Sequence, residues 1–504
     1  MKKIRAINKH QIADSIVIVL LVLVAAVLFR NINYFEVPET DFFQFLDNAK
    51  IYRQLKLPDT IHASPANPIL IAIFGNIISI PQSELYIARS FNIVFFCLSM
   101  FLLWRIARKY FGYFAFLLLA LMLSNPISYY VSLHPVSETL FTLSVLFVLY
   151  LRHRDKMKTA YIISGLSILI RYEAVAMFMA MALIDGVFSK DKKTARRLIF
   201  IVAIPIVIWI GMVSLQNPHH TIQGNPFIQE LMAAANTLPN NMIFDMKPFF
   251  QFIHRDKSIN SRVAMIFFIY ALIGISLFMK KKERQLLIIT LFGIGYLIIH
   301  WFFPSYPDRY SFPIIWVVYL IGLWPLWYIR REKKRFIMIA LPLLSYIVIL
   351  FATDIIQTNI DILPEYLSWN KYDRYENKLV ADWLTETTFM RPTRVLTFEP
   401  WIMSYFTMNQ NITFGKMGPV GIQDCKTVSC IIIHERIDRE KSDVLFVVDN
   451  YEFDEQDDFW SSQHGIYIFK TFETAEDFKD FRLLTMLEEH EKWAKIYKYQ
   501  PETQ

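Results

Sequence analysis

Charge, glycine-rich loops and cysteine are all scarce in this sequence of 504 residues. Only 19% of the residues are charged, whereas 54% are hydrophobic and 16% are aromatic. A soluble globular chain of this size carries more charge, so the composition excludes one and indicates a membrane protein. Nothing in the short basic loops between the apolar runs resembles a phosphate-binding glycine loop, which places the chemistry elsewhere in the chain.

Long apolar runs make up most of the first 353 residues. A helix that spans a bilayer needs roughly 20 mostly apolar residues, because hydrocarbon offers the backbone no other hydrogen-bonding partner. By this measure the sequence predicts a polytopic α-helical membrane domain over residues 1–353, with about eleven spans. The approximate spans are 12–30, 86–106, 113–131, 138–151, 159–172, 174–188, 198–215, 262–279, 285–303, 311–329 and 335–353.

The basic residues between these runs predict the orientation of the chain, because short cytoplasmic loops retain Lys and Arg. The basic clusters fall at alternate loops, namely 2–5, 105–109, 152–158, 190–197, 280–284 and 330–335. The N-terminus is therefore expected in the cytoplasm and everything after Thr353 outside. The formal charge of +7 then reflects topology and not nucleic-acid binding. No small-residue cleavage site follows the long first run, so no cleavable signal peptide is expected.

Residues 354–504 have the pattern of a small extracytoplasmic α/β domain, in which helix-like stretches alternate with short β-branched runs. The runs are RVLTF (394–398), CIIIH (430–434), DVLFVV (443–448) and GIYIF (465–469). Cys425 and Cys430 lie in this region, where oxidation is possible, and they either form a disulfide or remain free thiols. Two sulfurs without a clear histidine partner are too few for a metal site.

Polar and charged residues collect at the predicted outer boundary of the membrane. The first outer loop, 31–85, carries Glu39, Asp41 and Asp47 near its start and then an apolar interfacial or re-entrant piece at 65–71. The boundary residues are Glu39, Asp41, Asp47, Asn125, Ser132, His134, Ser137, Glu138, Arg171 and Arg309. A charge in mid-bilayer costs roughly 2.5–3.5 kcal/mol, so these residues should face a wet cavity or a ligand. We expect them to outline one polar pocket that opens outward.

Three motifs, taken with this topology, resemble the GT-C superfamily of membrane glycosyltransferases, which take a sugar from a polyprenyl-phosphate carrier. They are NPISYYVSLHPVSE (125–138), GLSILIR (165–171) and DRYSFP (308–313), and they follow an acidic first outer loop. The sequence is most similar to bacterial relatives of the dolichyl-phosphate-mannose mannosyltransferases and of the lipid A aminoarabinose transferase type. The serine-glutamate segment also resembles the second mannosyltransferase family of GPI-anchor synthesis.

The resemblance implies a catalytic role for the first outer loop, where the family has a loose acidic signature. An aromatic residue follows Asp41 after four positions and an alanine after four more, which matches the family spacing and implies that Asp41 is the catalytic base. Phe42 stands where the commoner pattern has a second acidic residue. Either Glu39 or Asp47 could take that second role.

The expected reaction needs one base and positive charge. A sugar phosphate leaves as a weak base, so only the acceptor hydroxyl has to lose a proton. The anionic leaving group needs cations, and a guanidinium can bind phosphate through two hydrogen bonds. The candidate substrate-binding residues are Glu138, His134, Arg171, Arg309 and Tyr310.

The partners implied by the resemblance are a polyprenyl-phosphate sugar and an acceptor hydroxyl on a lipid, a glycan or a protein, at the outer face of the plasma membrane. No cofactor and no nucleic acid are expected. The WWD motif of oligosaccharyltransferases is absent, which argues against that class and against a tightly bound divalent metal. With a single base, inversion at the anomeric carbon is the simpler expectation.

Each acidic or histidine candidate also has a structural interpretation. Asp41 could be a solvated loop residue, with Asp47 the important one. Glu138 could hydrogen-bond Asn125 or His134 and so fix two helix ends. His134 itself is more often a packed polar residue than a ligand, so no metal is expected there.

The two arginines have structural interpretations as well. Arg171 lies near a helix end and could snorkel toward the interface. Arg309 follows Asp308 directly and could form a plain ion pair with it. Either interpretation would remove that arginine from phosphate binding.

A different functional class is a transporter or flippase of lipid-linked sugars. Such proteins often have internal repeats and broken helices at the midplane. This sequence shows no convincing internal repeat, and its polar residues collect at the outer boundary, which favours the transferase. An envelope polysaccharide polymerase or ligase would keep the carrier-lipid chemistry with another acceptor.

The predicted topology can be tested with a reporter that is active only outside the cytoplasm. Fused after Gln504 the reporter should be active, and fused after Lys192 it should be silent, because Lys192 lies in a basic, cytoplasmic loop. Silence of the Gln504 fusion would show that the number of spans is wrong by an odd number.

Overall fold

A computed structural model describes the chain in two groups of residues. In the membrane part they are 2–58, 64–75, 82–188, 283–301 and 308–323, and in the tail 375–388, 393–397, 400–407, 412–416, 443–449, 481–489 and 492–499. The contacts divide the chain into two units. The first unit comprises Met1–Tyr34 and Gln44–Ser368, and the second comprises Phe35–Phe43 and Trp369–Gln504.

The regular secondary structure in the described residues of the first unit is all helical. Its helices are α1 (Lys2–Arg30), α2 (Thr40–Arg53, whose first turn belongs to the second unit), α3 (Ala66–Phe74), α4 (Ser83–Phe111), α5 (Ala115–Ser124), α6 (Pro126–Leu133), α7 (Glu138–His153), α8 (Met157–Leu166), α9 (Ala174–Phe188), α10 (Arg284–Trp301) and α11 (Phe312–Gly322). Short 3-10 turns occupy Gly112–Phe114, Ser167–Leu169 and Asp308–Ser311.

Two described helices are long and apolar enough to cross a membrane, Gln11–Arg30 within α1 and the whole of α4. They coincide with the predicted spans 12–30 and 86–106. The apolar helices α5 and α6 are bent by 65° relative to each other, as in a broken span or a re-entrant loop. The predicted spans 198–215, 262–279 and 335–353 lie outside the described residues, so the total of about eleven stays a prediction.

Ion pairs join the apolar helices at two places. The Asp14 carboxylate on α1 accepts a hydrogen bond from Trp104 Nε1 (3.0 Å) and pairs with Arg105 (2.9 Å) and Arg108 on α4. On α7, Arg152 donates two hydrogen bonds, 2.7 and 2.9 Å long, to the Asp185 carboxylate of α9. Charges among apolar helices are tolerated when they are paired in this way.

Two glycines let α10 approach its neighbours closely. A Cβ atom added at Gly293 would lie 3.0 Å from a methyl group of Val317 on α11, and one added at Gly295 would lie 3.2 Å from the Cβ of Ala176 on α9. Small residues at helix contacts allow close backbone packing in membrane proteins. The start of α9 and the middle of α11 thereby pack closely against the middle of α10.

The described part of the tail contains helices α12 (Tyr375–Glu386) and α13 (Pro400–Phe406) and a five-stranded sheet of order β2-β1-β3-β5-β4. Its strands are β1 (Thr393–Thr397), β2 (Ile412–Lys416), β3 (Asp443–Asp449), β4 (Phe481–Glu489) and β5 (Lys492–Tyr499). Strand β1 pairs in parallel with β2 and β3, whereas β5 pairs antiparallel with β3 and β4. Side chains of both helices and of three strands form its core: Val380, Leu384, Val395, Met403, Ile412 and Ile496.

Two of the four predicted strands, RVLTF and DVLFVV, coincide with β1 and β3. The runs at 430–434 and 465–469 lie outside the described residues. Cys425 and Cys430 lie outside them too, so the choice between a disulfide and free thiols stays open.

The domain division differs from the predicted one in one respect. The sequence assigned the whole first outer loop to the membrane domain, but Phe35–Phe43 belongs to the same unit as the tail. The cause is apolar packing, because Phe42 and Phe43 are buried and both contact the Tyr405 ring of α13. The predicted boundary at 353/354 and the observed one at 368/369 both fall outside the described residues.

Candidate functional site

Three turns and the end of one helix in the first unit bring together a set of buried charged and aromatic side chains, which we call the arginine cluster. Glu138 is the first residue of α7, and Arg171 and Glu173 lie in the turn before α9. His300 lies near the end of α10, and the 3-10 turn before α11 supplies the remaining members. The cluster comprises Glu138, Arg171, Glu173, His300, Arg309 and Tyr310.

Arg171 is the centre of the cluster. Its Nη1 lies 2.9 Å from Glu138 Oε1, and its Nη2 lies 2.6 Å from Glu173 Oε1. Nη1 also donates to Ser137 Oγ at 3.0 Å, and the guanidinium lies 4.7 Å from the centre of the Tyr310 ring. Arg171 is 8% exposed. The snorkelling interpretation is therefore wrong, because the guanidinium is held inside the protein by carboxylates.

Glu138 connects the two arginines. Its side chain is 0% exposed, and its Oε1 also lies 3.7 Å from Arg309 Nε. The guanidinium of Arg309 lies 5.3 Å from the centre of the same Tyr310 ring that Arg171 contacts. A carboxylate and an aromatic face thus hold two positive charges close together, and both interactions favour cations.

The second carboxylate and the histidine complete the charge balance. His300 Nε2 lies 3.4 Å from Glu173 Oε1, and the His300 ring packs 5.3 Å from that of Tyr310. With His300 counted as neutral, two guanidinium groups and two carboxylates give a net charge of zero. An anion that enters such a site competes with carboxylates for the arginines.

The turn between α6 and α7 places Glu138 in the cluster. Asn92, a buried residue of α4, donates from its amide to the carbonyl oxygens of Val131 (3.2 Å), His134 and Val136 (3.0 Å). These carbonyls lie around Pro135, where no regular helix can satisfy them. The amide therefore fixes the turn that precedes Glu138.

Asn125 and His134, the two residues that Glu138 was expected to contact in its structural interpretation, have contacts of their own. Asn125 caps α6, because its Oδ1 accepts from Ile127 N at 2.9 Å, and its Nδ2 donates to Tyr319 Oη at 3.2 Å. The Glu138 carboxylate pairs with Arg171. His134 is buried with its ring 4.3 Å from that of Tyr130, as expected for a packed polar side chain.

The three acidic candidates of the first outer loop, Glu39, Asp41 and Asp47, have different environments. Asp41 is the second residue of α2 and is half-buried. A carboxylate in the first turn also interacts favourably with the helix dipole and so stabilises the helix. Glu39 is half-buried just before the helix, and its carbonyl oxygen accepts from Phe42 N at 3.0 Å. Asp47 is 63% exposed and pairs with Lys50 at 2.9 Å, which is the environment of a solvated surface ion pair.

The structure thus brings together four predicted site residues, Glu138, Arg171, Arg309 and Tyr310, in the first unit. Asp41 and Glu39 belong to the second unit. Among the described residues, no group of three or more His, Cys, Asp or Glu side chains has the arrangement of a metal site.

Three residues of this region, Glu173, His300 and Asn92, were not predicted from the sequence. Each had a signal in the sequence. Glu173 follows Arg171 by two positions, and His300 and Asn92 are polar residues inside apolar runs, where an unsatisfied polar group is costly. Only the fold shows that two of them face the same arginine cluster.

The fold is similar to that of ArnT from Cupriavidus metallidurans. With ArnT in the apo state, the TM-score is 0.56 over 96% of this chain and 98% of that chain, at 11% identity. With ArnT bound to undecaprenyl phosphate, it is 0.52 over 95% and 97%, at 11% identity. ArnT is the lipid A aminoarabinose transferase, a GT-C glycosyltransferase, so the resemblance that the motifs indicated is confirmed for the fold. No family model and no curated protein sequence matches the chain.

Removing the centre of the arginine cluster should destabilise the protein. Arg171→Met leaves two buried carboxylates short of positive charge, and breaking a buried ion pair costs about 3–5 kcal/mol. We expect a lower thermal unfolding midpoint for the purified protein in detergent. The double variant Arg171→Met/Glu173→Gln should unfold at a higher temperature than Arg171→Met, because it restores the charge balance.

Arg154→Met is the matched control, since Arg154 is exposed and contacts the Tyr150 ring. It should unfold like the wild type. The charge-balance account would be contradicted by an Arg171→Met protein that is as stable as Arg154→Met and gains nothing from Glu173→Gln.

Proposed function

We propose that this protein is a GT-C-type glycosyltransferase that moves a sugar from a polyprenyl-phosphate carrier to an acceptor hydroxyl at the outer face of the membrane. The main support is the fold similarity to ArnT, which extends over 95–96% of the chain. One of the two ArnT structures is bound to undecaprenyl phosphate, a carrier lipid of the kind that the motifs imply. The described apolar helices α1 and α4 fit a multi-pass protein of the plasma membrane.

The proposed reaction is a single displacement at the anomeric carbon of the donor sugar. Asp41 takes the proton of the acceptor hydroxyl, and the hydroxyl oxygen forms the new bond to the anomeric carbon. The bond from that carbon to the phosphate oxygen breaks, and the electron pair leaves with the polyprenyl phosphate. The anomeric configuration is inverted. Asp41 is preferred to Asp47, which is a solvated ion-pair residue.

The two arginines receive different roles in this proposal. The three nitrogens of Arg171 contact Ser137 and the carboxylates of Glu138 and Glu173 at 2.6–3.2 Å, so we assign it to positioning. Arg309 lies farther from Glu138, at 3.7 Å, and phosphate oxygens are strong acceptors for a guanidinium. We therefore assign the donor phosphate to Arg309, with Tyr310 beside it.

The proposed substrates are an acceptor hydroxyl and a lipid-linked sugar. The acceptor is a hydroxyl of a lipid, a glycan or a protein, and the sugar is open among mannose, glucose, galacturonic acid and aminoarabinose. No cofactor takes part in the proposed step, because the phosphate leaves as a weak base and a guanidinium can balance its charge.

The Asp41→Asn variant tests the proposed chemistry. Asparagine keeps the size of the side chain but cannot take up a proton, so transfer should fall by about 10²–10⁴ while the donor still binds. The measurement is sugar transfer in nanodiscs from undecaprenyl phosphate that carries each of the four sugars, with a membrane lipid extract as the acceptor source. Asp47→Asn is the matched control and should keep wild-type transfer, since Asp47 is a surface residue.

Two results would argue against the proposal. Near wild-type transfer by Asp41→Asn would remove Asp41 from the reaction, and Glu39→Gln would be measured next. A wild-type protein that moves lipid-linked sugar across a vesicle membrane without transferring it would instead support a transporter.

A further inference from the structure

The segment Phe35–Phe43, which contains Asp41, belongs to the same unit as the C-terminal domain. Four of its apolar side chains are buried: Phe35, Val37, Phe42 and Phe43. In a loop that only connected two helices, such side chains would remain exposed or would face lipid. Their burial shows that the segment is packed as part of a folded domain.

An aromatic contact forms the first attachment of the segment. The rings of Phe42 and Phe43 lie 5.5 Å apart, and each lies 5.6 Å from the Tyr405 ring of α13, edge to face. Such geometry is favourable for aromatic rings and restricts their orientation. Tyr405 therefore fixes the first turn of α2 at the residue directly after Asp41.

An ion pair forms the second attachment, on the other side of Asp41 in the sequence. Lys378 of α12 lies 3.4 Å from the Glu36 carboxylate and 3.7 Å from Asp382. Its ammonium group also lies 5.2 Å from the centre of the Tyr375 ring. Burial, together with the Glu489 carboxylate, raises the pKa of Tyr375 to about 12, so Tyr375 stays protonated and donates to Glu489 at 3.2 Å. Lys378 thus belongs to a fixed network that includes α12 and β4.

Asp41 lies between these two attachments. The backbone on its N-terminal side is held through Glu36, and the backbone on its C-terminal side is held through Phe42 and Phe43. The position of a catalytic base relative to its substrate strongly affects the rate of proton transfer. A domain that holds both sides of the base can therefore control the rate without touching the substrate.

We propose that the C-terminal domain positions Asp41 for catalysis, and that Tyr405 is the principal positioning residue. This proposal depends on the proposed function, in which Asp41 is the base. It changes the role expected for the tail, since removal of the domain would expose the apolar side chains of Phe35–Phe43 and release Asp41. Tyr405 acts through its aromatic ring, so the Tyr405→Phe variant should still position Asp41.

A double-mutant cycle in the full-length protein tests the proposal. Tyr405→Ala should lower kcat by about tenfold or more, with KM for the donor within about twofold of wild type, because only the base is displaced. Tyr405→Phe should restore kcat. In the Asp41→Asn background, Tyr405→Ala should cause almost no further loss, since residues that act through one another are not additive.

Met403→Ala is the matched control, because it removes a buried side chain from the same helix within the domain core. Met403→Ala leaves the Tyr405 ring in place, so it should lower kcat less than Tyr405→Ala does. Full activity of Tyr405→Ala, or an effect that adds to that of Asp41→Asn, would overturn the positioning role while leaving the proposed function intact.

Hydrogen–deuterium exchange keeps the two proposals separable if no tested sugar is transferred. Tyr405→Ala should then increase amide exchange in peptides that cover residues 35–43, and Tyr405→Phe should not. Unchanged exchange in Tyr405→Ala would overturn the positioning proposal regardless of activity. Absence of transfer by the wild type, with increased exchange in Tyr405→Ala, would overturn the proposed function while supporting the attachment of residues 35–43 by Tyr405.

Discussion

The ion pair between Arg171 and Glu138 is the interaction on which the described membrane unit most depends. Both side chains are buried among apolar helices, where an unpaired charge is expensive. Meeting that constraint requires the start of α7 and the turn before α9 to be adjacent. Arg309 pairs with the same carboxylate, so the turn before α11 also lies next to the start of α7. One buried carboxylate thus fixes the relative positions of three turns.

That arrangement has a chemical consequence. Arginine side chains repel one another unless a negative charge or a polarisable surface lies between them, and here Glu138 and the Tyr310 ring supply both. Among the described side chains of the cluster, two guanidinium groups face two carboxylates. A phosphate that entered this cluster would compete with the carboxylates for the guanidinium groups, and the Glu138 carboxylate lies closer to Arg171, at 2.9 Å, than to Arg309, at 3.7 Å.

Much of this cluster could be predicted from the sequence, because charges in apolar surroundings are rare. Glu138, Arg171 and Arg309 were identified as charges at the predicted outer boundary, Tyr310 belongs to the DRYSFP motif, and the structure brings all four together. Glu173 and His300 were missed, because a charge next to a helix end and a histidine in an apolar run each have ordinary explanations. Only the contact between α9 and α10, which depends on Gly295, places these two residues side by side.

The assignment of the first outer loop could not be predicted. Phe42 and Phe43 follow an acidic residue near a predicted membrane boundary, and aromatic residues there are usually interfacial anchors. Their burial against Tyr405 is a contact across more than 350 positions of the sequence, for which periodicity gives no signal. In contrast, strands β1 and β3 were predicted because β-branched runs are a local property.

The central claim is that the protein recognises the phosphate of a polyprenyl carrier, and direct lipid binding tests it most simply. Native mass spectrometry would compare undecaprenyl phosphate with undecaprenol, which has the same chain and no phosphate. We predict that the phosphate lipid binds more tightly, and that Arg309→Ala weakens its binding by about 10- to 100-fold, as expected for a lost charged hydrogen bond. Arg154→Ala should leave binding unchanged. Equal binding of the two lipids, or full binding by Arg309→Ala, would contradict the account.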